Sequence, residues 1–128
     1  MILVDTSVWI DHLHRSEPRL VELLNSSDVA QHPMVIGELA VGNLSRRSTV
    51  LDSLSELPAI TAATHGEVMI LVEERRLFGQ GLSLVDAHLL SSVLLSRPAR
   101  LWTRDKKLAS AAAQLGLSFD DRDSPSAE

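Results

Sequence analysis

Short apolar runs alternate along the chain with segments in which apolar residues recur at helical spacing. The first pattern is typical of buried strands and the second of helices with one apolar face. The predicted strands cover residues 2–4, 28–32, 59–61, 100–103 and 117–119. The predicted helices cover about residues 6–14, 19–24, 33–41, 47–57, 64–77, 83–95 and 106–115. Strands that alternate with helices through short links predict a three-layer α/β/α sandwich with a central parallel sheet.

The length of 128 residues suits one domain, which we expect over residues 1–119. Residues 120–128 are polar and carry four acids and one arginine, so we expect an acidic, disordered tail there. No apolar run is long enough for a membrane span or has the form of a signal peptide, which makes the cytoplasm the expected location. Cysteine is absent, and this excludes disulfides and thiolate-ligated zinc.

The formal net charge of −5 argues at first against a nucleic-acid partner. The tail contributes −3 of this charge, and residues 1–119 contribute the remaining −2. Four acids in that larger part are candidate metal ligands, and without them it sums to +2. A metal-loaded domain therefore tolerates a polyanion, although it is no generic basic binder.

Four acidic residues stand where predicted strands end or predicted helices begin. Asp5, Glu38 and Asp105 come shortly after predicted strands, each near the start of a helix. Asp86 lies near the start of the apolar helix predicted over residues 83–95. The carboxyl ends of parallel strands meet at one edge of a sheet, and ligands bind at that edge. We therefore expect these four carboxylates to lie close together.

Each acid by itself also has a purely structural interpretation. Asp5 and Asp105 have the position of a helix N-cap. Asp86 follows Ser83 at the spacing of a capping box. Glu38 has the position of a solvated helix residue. Only the set of four acids points to chemistry.

Four carboxylates at one edge of a sheet require either shared protons or a cation. Two carboxylates ~4 Å apart repel by roughly 4 kcal/mol at an effective dielectric constant of about 20. Oxygen ligands without cysteine suit Mg²⁺ or Mn²⁺. Such an ion can generate hydroxide and stabilise charge on a phosphate group. The set therefore predicts metal-dependent cleavage of a phosphate ester.

The four acids lie in segments that resemble the acidic motifs of PIN domains, specifically those of VapC-type toxins from bacterial toxin–antitoxin pairs. The matching segments are residues 2–9, 34–39, 84–87 and 101–108, and the resemblance spans about residues 1–119. It implies a Mg²⁺- or Mn²⁺-dependent endoribonuclease that cleaves RNA, forms a homodimer and is inhibited by a VapB-type antitoxin. It also implies that the four acids bind the metal, directly or through water. In that interpretation Asp5, Glu38, Asp86 and Asp105 are ligands, and Ser7 and Thr103 are hydroxyl groups that orient them or a bound water.

Substrate contacts are predicted from the basic residues that flank Asp105. Arg104, Lys106 and Lys107 are the candidate phosphate contacts, although each position also suits a solvated helix face or an ion pair. Aromatic residues make up 3% of the chain, so extensive stacking on bases is not expected. His12 and His14 fall on different faces of a helix, which disfavours a paired-histidine ribonuclease.

Three other functions remain open from the residues alone. A metal-dependent DNA nuclease would use the same chemistry, and only the resemblance favours RNA. A phosphatase of the haloacid-dehalogenase type would want an acid two residues after Asp5, where the chain has Ser7. A non-catalytic binding module could share the fold, but a degenerate member should have lost some of the acids. Hydrolysis by water predicts products with a 5′-phosphate and a 3′-hydroxyl.

Overall fold

A computed structural model describes residues 1–121 and shows a parallel sheet flanked by helices. The strands are β1 (Ile2–Val4), β2 (Val29–Ala30) and β3 (Arg100–Trp102). The helices are α1 (Thr6–His14), α2 (Pro18–Asn25), α3 (Pro33–Val41), α4 (Arg47–Ser55), α5 (His65–Glu74), α6 (Leu84–Leu95) and α7 (Lys106–Gln114). In the described part of the chain no helix is long and apolar enough to cross a bilayer. Residues 122–128 of the predicted acidic tail lie outside the described residues.

The sheet has the order β2-β1-β3, with every pairing parallel. Single parallel bridges, Gln31 to Ala59 and Leu101 to Ser118, extend it by one residue pair at each side. These bridges fall in the segments predicted as strands at 59–61 and 117–119. The expected three-layer architecture with a central parallel sheet is confirmed, but the two outer strands are reduced to single pairs. Each outer segment lies at an edge of the sheet and has a neighbouring strand on one side only, so fewer hydrogen bonds hold it as a strand.

The second strand is shorter than the predicted 28–32, because His32 leaves the sheet to begin α3. The His32 ring is buried, and its Nδ1 accepts a hydrogen bond from the backbone N–H of Met34 at 3.0 Å. Proline at the next position suits the first turn of a helix, since its missing N–H has no intrahelical partner there. Side-chain capping thus ends the strand earlier than the apolar pattern indicates.

The core is centred on the sheet and on α6. Leu3, Val4, Leu101 and Trp102 of the central strands are almost fully buried. Residues 87–93 of α6 are buried without interruption, so this helix is covered on all sides. A helix with apolar residues on most of its faces belongs in the interior of a protein, and the polar side chains in this stretch must then find partners there. Burial of each large apolar side chain contributes about 1.5–3 kcal/mol to folding.

A buried hydrogen-bond network joins α3 to α6. His32 Nε2 lies 3.0 Å from Ser92 Oγ, and Ser92 Oγ also accepts from the backbone N–H of Ala63 at 2.9 Å. The Ser92 hydroxyl donates to the backbone oxygen of His88 at 2.8 Å. Because Nδ1 of His32 accepts, Nε2 carries the proton and the ring is neutral. The network fixes the two helices that carry Glu38 and Asp86.

Candidate active site

Asp5 stands directly after β1, buried and oriented by two hydroxyl groups. Its side chain is 6% exposed. Its Oδ2 accepts hydrogen bonds from Ser7 Oγ at 2.9 Å and from Thr103 Oγ1 at 2.7 Å. Asp5 has the N-cap position of α1, yet its side chain makes no capping hydrogen bond. The interpretation of this residue as a helix cap is therefore wrong, and its carboxylate is free for another role.

The two hydroxyl groups connect Asp5 to the loop between β3 and α7. Ser7 Oγ accepts from the backbone N–H of Arg104 at 3.0 Å, and Thr103 Oγ1 accepts from that of Asp105 at 3.1 Å. Each hydroxyl has one proton, which it donates to Asp5, and uses a lone pair for the backbone N–H. The two oxygens lie 3.4 Å apart. This geometry supports the predicted role of Ser7 and Thr103 in orienting the acid.

Asp86 and Asp105 both take part in helix capping, as their sequence positions indicated. Asp105 Oδ1 accepts from the backbone N–H of Leu108 at 2.9 Å at the start of α7. Asp86 Oδ2 accepts from the N–H of Ser83 at 3.0 Å, and Ser83 Oγ accepts from the N–H of Asp86 at the same distance, which completes a capping box. Capping occupies one oxygen of each carboxylate and leaves the second oxygen for other ligands.

Glu38 lies on α3 and is exposed. Its Oε1 accepts a hydrogen bond of 2.6 Å from Thr6 Oγ1, so the residue next to Asp5 holds the glutamate. Thr6 is not among the site residues predicted from the sequence. Thr6 and Glu38 lie 32 positions apart, so no local pattern predicts their contact. The only hint in the sequence is that Thr6, which has a hydroxyl group, stands between Asp5 and Ser7.

The carboxyl group of Asp86 is affected by the charges of the two other candidate aspartates. Burial is the largest cause that raises the pKa of Asp86 above its ordinary value. Hydrogen bonds from Ser83 oppose this shift, and the negative charges of Asp105 and Asp5 add to it. A like charge acts in this way only when it is near. These two charges therefore lie within electrostatic range of Asp86, and the meeting of all four acids at one edge of the sheet stays a prediction.

A divalent cation fits the chemistry of these ligands. In all four acids one oxygen is held by a hydroxyl or backbone N–H, which orients the carboxylate and leaves the other oxygen for a hard cation. Among residues 1–121, however, no three acidic or histidine side chains form a group that could hold a metal ion as they stand. Carboxylates without a counter-ion repel one another, so a cation would have to draw them together.

The three predicted phosphate contacts have different surroundings. The guanidinium of Arg104 is paired with acids, its Nη1 lying 2.8 Å from Asp11 and 2.6 Å from Glu17. Lys106 and Lys107 are exposed in the first turn of α7. The side chain of Lys107 lies over Gly81, where an added Cβ would approach Nζ to 2.8 Å. Of these three basic residues, Arg104 is thus occupied by ion pairs, whereas the two lysines are exposed.

An apolar groove lies beside Glu38, between α1 and α4. It encloses about 390 Å³, and its lining includes Ile10, Leu13, Glu38 and Val50. A second hollow of about 300 Å³ shares Leu13 and Val50 with it. Leu13 and Ile10 are each 42% exposed, which is high for large apolar side chains on α1.

Known proteins match this chain over most of its length. The PIN domain family matches residues 2–114, a range that contains all four acids. Ribonuclease VapC32 from two strains of Mycobacterium tuberculosis, CDC 1551 and H37Rv, is 54% identical to the chain over 119 residues. The aligned region covers 93% of this chain and 96% of each relative.

Proposed function

This chain belongs to the PIN-domain family, and from that premise we propose that it is an endoribonuclease, the toxin of a toxin–antitoxin pair. The observation that carries the proposal is the buried Asp5 carboxylate. Two hydroxyl groups orient it, and it caps no helix. The similar proteins are named ribonucleases, and this favours RNA over DNA and over a small phosphate ester.

The proposed cofactor is Mg²⁺ or Mn²⁺. Asp5, Glu38, Asp86 and Asp105 would hold it, directly or through water. When bound, such a cation supplies Lewis-acid stabilisation of the charge that develops on a phosphate group. The chain's own hydroxyl groups and helix starts orient the carboxylates before the substrate binds, so less entropy is lost when the reactive geometry forms.

The remaining residues of the site divide into positioning and substrate contacts. Ser7 and Thr103 keep Asp5 in one orientation, and Thr6 does the same for Glu38. Lys106 and Lys107, exposed in the first turn of α7, are the proposed contacts to backbone phosphates of the RNA. Such contacts contribute affinity without reading the base sequence. Hydrolysis by water leaves a 5′-phosphate and a 3′-hydroxyl, because the RNA 2′-hydroxyl does not act as nucleophile.

The test is incubation of the purified protein with total cellular RNA, with Mn²⁺ or Mg²⁺ and with a chelator, followed by mapping of the ends. We expect cleavage that the chelator abolishes and that Asp5→Asn removes, with 5′-phosphate ends. Products with cyclic phosphates would contradict the chemistry. Cleavage of single-stranded DNA at the same rate would contradict the choice of RNA.

A VapB-type antitoxin is the proposed partner, and its proposed docking surface is the apolar groove beside Glu38. An apolar segment in this groove would lie next to one of the four acids and would hinder access of RNA. We expect Leu13→Asp, which places a charge in the groove, to weaken inhibition by the antitoxin while RNA cleavage continues. A homodimer is proposed from the family resemblance, and light scattering of the purified chain tests it.

A further inference from the structure

The side chain of Arg104 is paired with three acidic side chains, while its backbone N–H donates to Ser7. Its Nη1 bonds to Asp11 Oδ2 at 2.8 Å and to Glu17 Oε2 at 2.6 Å. Its Nη2 lies 3.4 Å from Asp121 Oδ2. The guanidinium also lies over the ring of Trp102, with Cζ 5.7 Å from the ring centroid. We refer to Arg104, Asp11, Glu17 and Asp121 as the arginine cluster.

The charges of the arginine cluster argue against a contact with RNA. Three carboxylates surround one guanidinium, so the cluster has an excess of negative charge toward an approaching phosphate. The hydrogen bond from Arg104 is the largest cause that lowers the pKa of Glu17, which keeps this carboxylate ionised. A phosphate would have to displace partners that already satisfy the guanidinium. The predicted RNA contact at this residue is therefore unsupported.

The backbone of the same residue belongs to the site of Asp5. The N–H of Arg104 donates to Ser7 Oγ, and Ser7 donates to Asp5. The flanking residues Thr103 and Asp105 take part in the second connection to Asp5. These three loop residues, 103–105, have no regular secondary structure to hold them. Their position depends on the side-chain contacts at either side.

We propose that Arg104 is a positioning residue, which anchors the loop of residues 103–105 to α1 and to the start of α2 and thereby keeps Ser7 and Thr103 in place on Asp5. This inference rests on the proposed nuclease function for its kinetic consequences. Asp11 belongs to α1 and Glu17 precedes α2, so two ion pairs join the loop to separate elements. Groups that orient a metal ligand from outside typically affect metal affinity or activity by about 10–100-fold.

Glu17→Gln separates this proposal from a direct contact with RNA, because the two predict opposite results. If Arg104 binds phosphate and Glu17 only competes for it, removal of the acid should lower KM and leave kcat unchanged. If Arg104 positions Asp5, the same change should lower kcat by about three- to tenfold and leave KM within about twofold. An unchanged kcat, with or without a lower KM, overturns the proposal.

Glu22→Gln is the matched control. Glu22 lies on α2 and is paired with Arg19 at 3.0 Å, and it does not belong to the arginine cluster. Its substitution by Gln changes the net charge by the same amount as Glu17→Gln. We expect kcat and KM of this variant to match the wild type. Arg104→Gln should lower kcat by about tenfold, and the double variant with Glu17→Gln should be no worse than Arg104→Gln alone. Additive losses would show separate roles and would overturn the proposal.

Two readouts remain valid even if the wild-type protein cleaves no RNA. The backbone N–H of residue 104 should exchange with solvent about tenfold faster in Glu17→Gln than in Glu22→Gln, since its hydrogen bond to Ser7 is loosened. The affinity for Mn²⁺, measured by calorimetry, should fall about threefold or more in the same comparison. Inactivity of the wild type would count against the proposed function alone. Equal exchange rates and equal Mn²⁺ affinities in the two variants would overturn the positioning role.

Discussion

The starts of α1 and α7 have the same layout but use their aspartates differently. In both, a central strand ends, an aspartate in extended backbone conformation takes the N-cap position, and a nine-residue helix follows. Asp105 caps its helix through the N–H of Leu108. Asp5 makes no such bond, and the N–H of Val8 donates instead to the backbone oxygen of Asp5 at 3.1 Å. The Asp5 carboxylate is thus released from capping.

This difference shows that the position of an acid at a helix start does not reveal its role. A capping side chain contributes about 1 kcal/mol to stability. The start of α1 gives up that contribution, and the carboxylate of Asp5 is held by Ser7 and by Thr103, which lies 98 positions away. A carboxylate that is held in part by a distant segment, and that caps no helix, is the stronger candidate for chemistry. Four predictions test this contrast.

The largest expected effect is the loss of RNA cleavage when the charge of Asp5 is removed. We expect Asp5→Asn to lower kcat/KM by roughly a thousandfold, comparable to the removal of a group that stabilises charge in a transition state. Asp105→Asn should lower it by only about tenfold, because Asp105 is exposed to solvent and Asn caps a helix equally well. Equal losses for the two variants would break the comparison.

The start of α3 provides a third case, in which the cap is a histidine. Burial lowers the pKa of His32 from 6.5 to about 4, with a smaller contribution from His88. At a pH between these two pKa values, His32 binds a proton in the unfolded chain but not in the folded chain. The free energy of unfolding should therefore be highest above about pH 6.5 and should fall by about 3 kcal/mol as the pH decreases to 4.

Chemical unfolding at a series of pH values measures this dependence. His32→Asn keeps a capping oxygen but has no titrating group, so its stability should be lower at pH 7 and should vary less between pH 6.5 and 4. An equally steep decrease in this variant would show that carboxylates, and not the buried imidazole, cause the acid sensitivity.

The hydroxyl groups of Thr103 and Ser83 provide a second comparison, because one orients a carboxylate and the other caps a helix. Thr103→Val has a similar shape and removes one of the two donors to Asp5, and we expect kcat/KM to fall about tenfold with a small change in stability. Ser83→Ala removes the cap of α6, and we expect a loss of about 1 kcal/mol in stability with a smaller kinetic effect. Steady-state kinetics and urea unfolding of both variants measure the two effects. The reverse pattern would contradict the assigned roles.

The smallest expected effect concerns stability in the absence of metal. Asp105→Ala should lower the free energy of unfolding by about 1 kcal/mol, because the cap of α7 is lost. Asp5→Asn should cause no loss, since Asn still accepts from the hydroxyl groups and the repulsion with Asp86 is relieved. Urea unfolding in the presence of a chelator measures both. A loss for Asp5→Asn as large as that for Asp105→Ala would contradict a carboxylate kept for chemistry.

The elements that follow from short-range patterns were predicted well. The helix starts at Leu84 and Lys106 match the predicted caps Ser83 and Asp105, because capping depends on neighbours within four positions. The helix start at Thr6 also agrees with the predicted helix, although Asp5 makes no capping bond there. The outer strands at 59–61 and 117–119 were overestimated. Their apolar pattern is correct, but the length of a strand depends on how much of a neighbouring strand it can pair with.

The roles of Thr6 and Arg104 were not predictable in this way. Thr6 was not among the predicted site residues, and its partner Glu38 lies 32 positions away. Arg104 was expected to contact RNA because it flanks Asp105, but its side chain meets Glu17, which is 87 positions away. A side chain's neighbours in the sequence do not show which of its possible partners will be near in the fold.

The sequence by itself determined the order of the elements and singled out the four acids as candidate site residues. Periodicity, capping and motif spacing are local properties, and they are written directly in the chain. Only the tertiary structure decided which acid is released from capping and which arginine is occupied by other acids. Hydrogen bonds and ion pairs form between whichever groups the folded backbone brings within about 3 Å, and the packing of distant segments sets that distance.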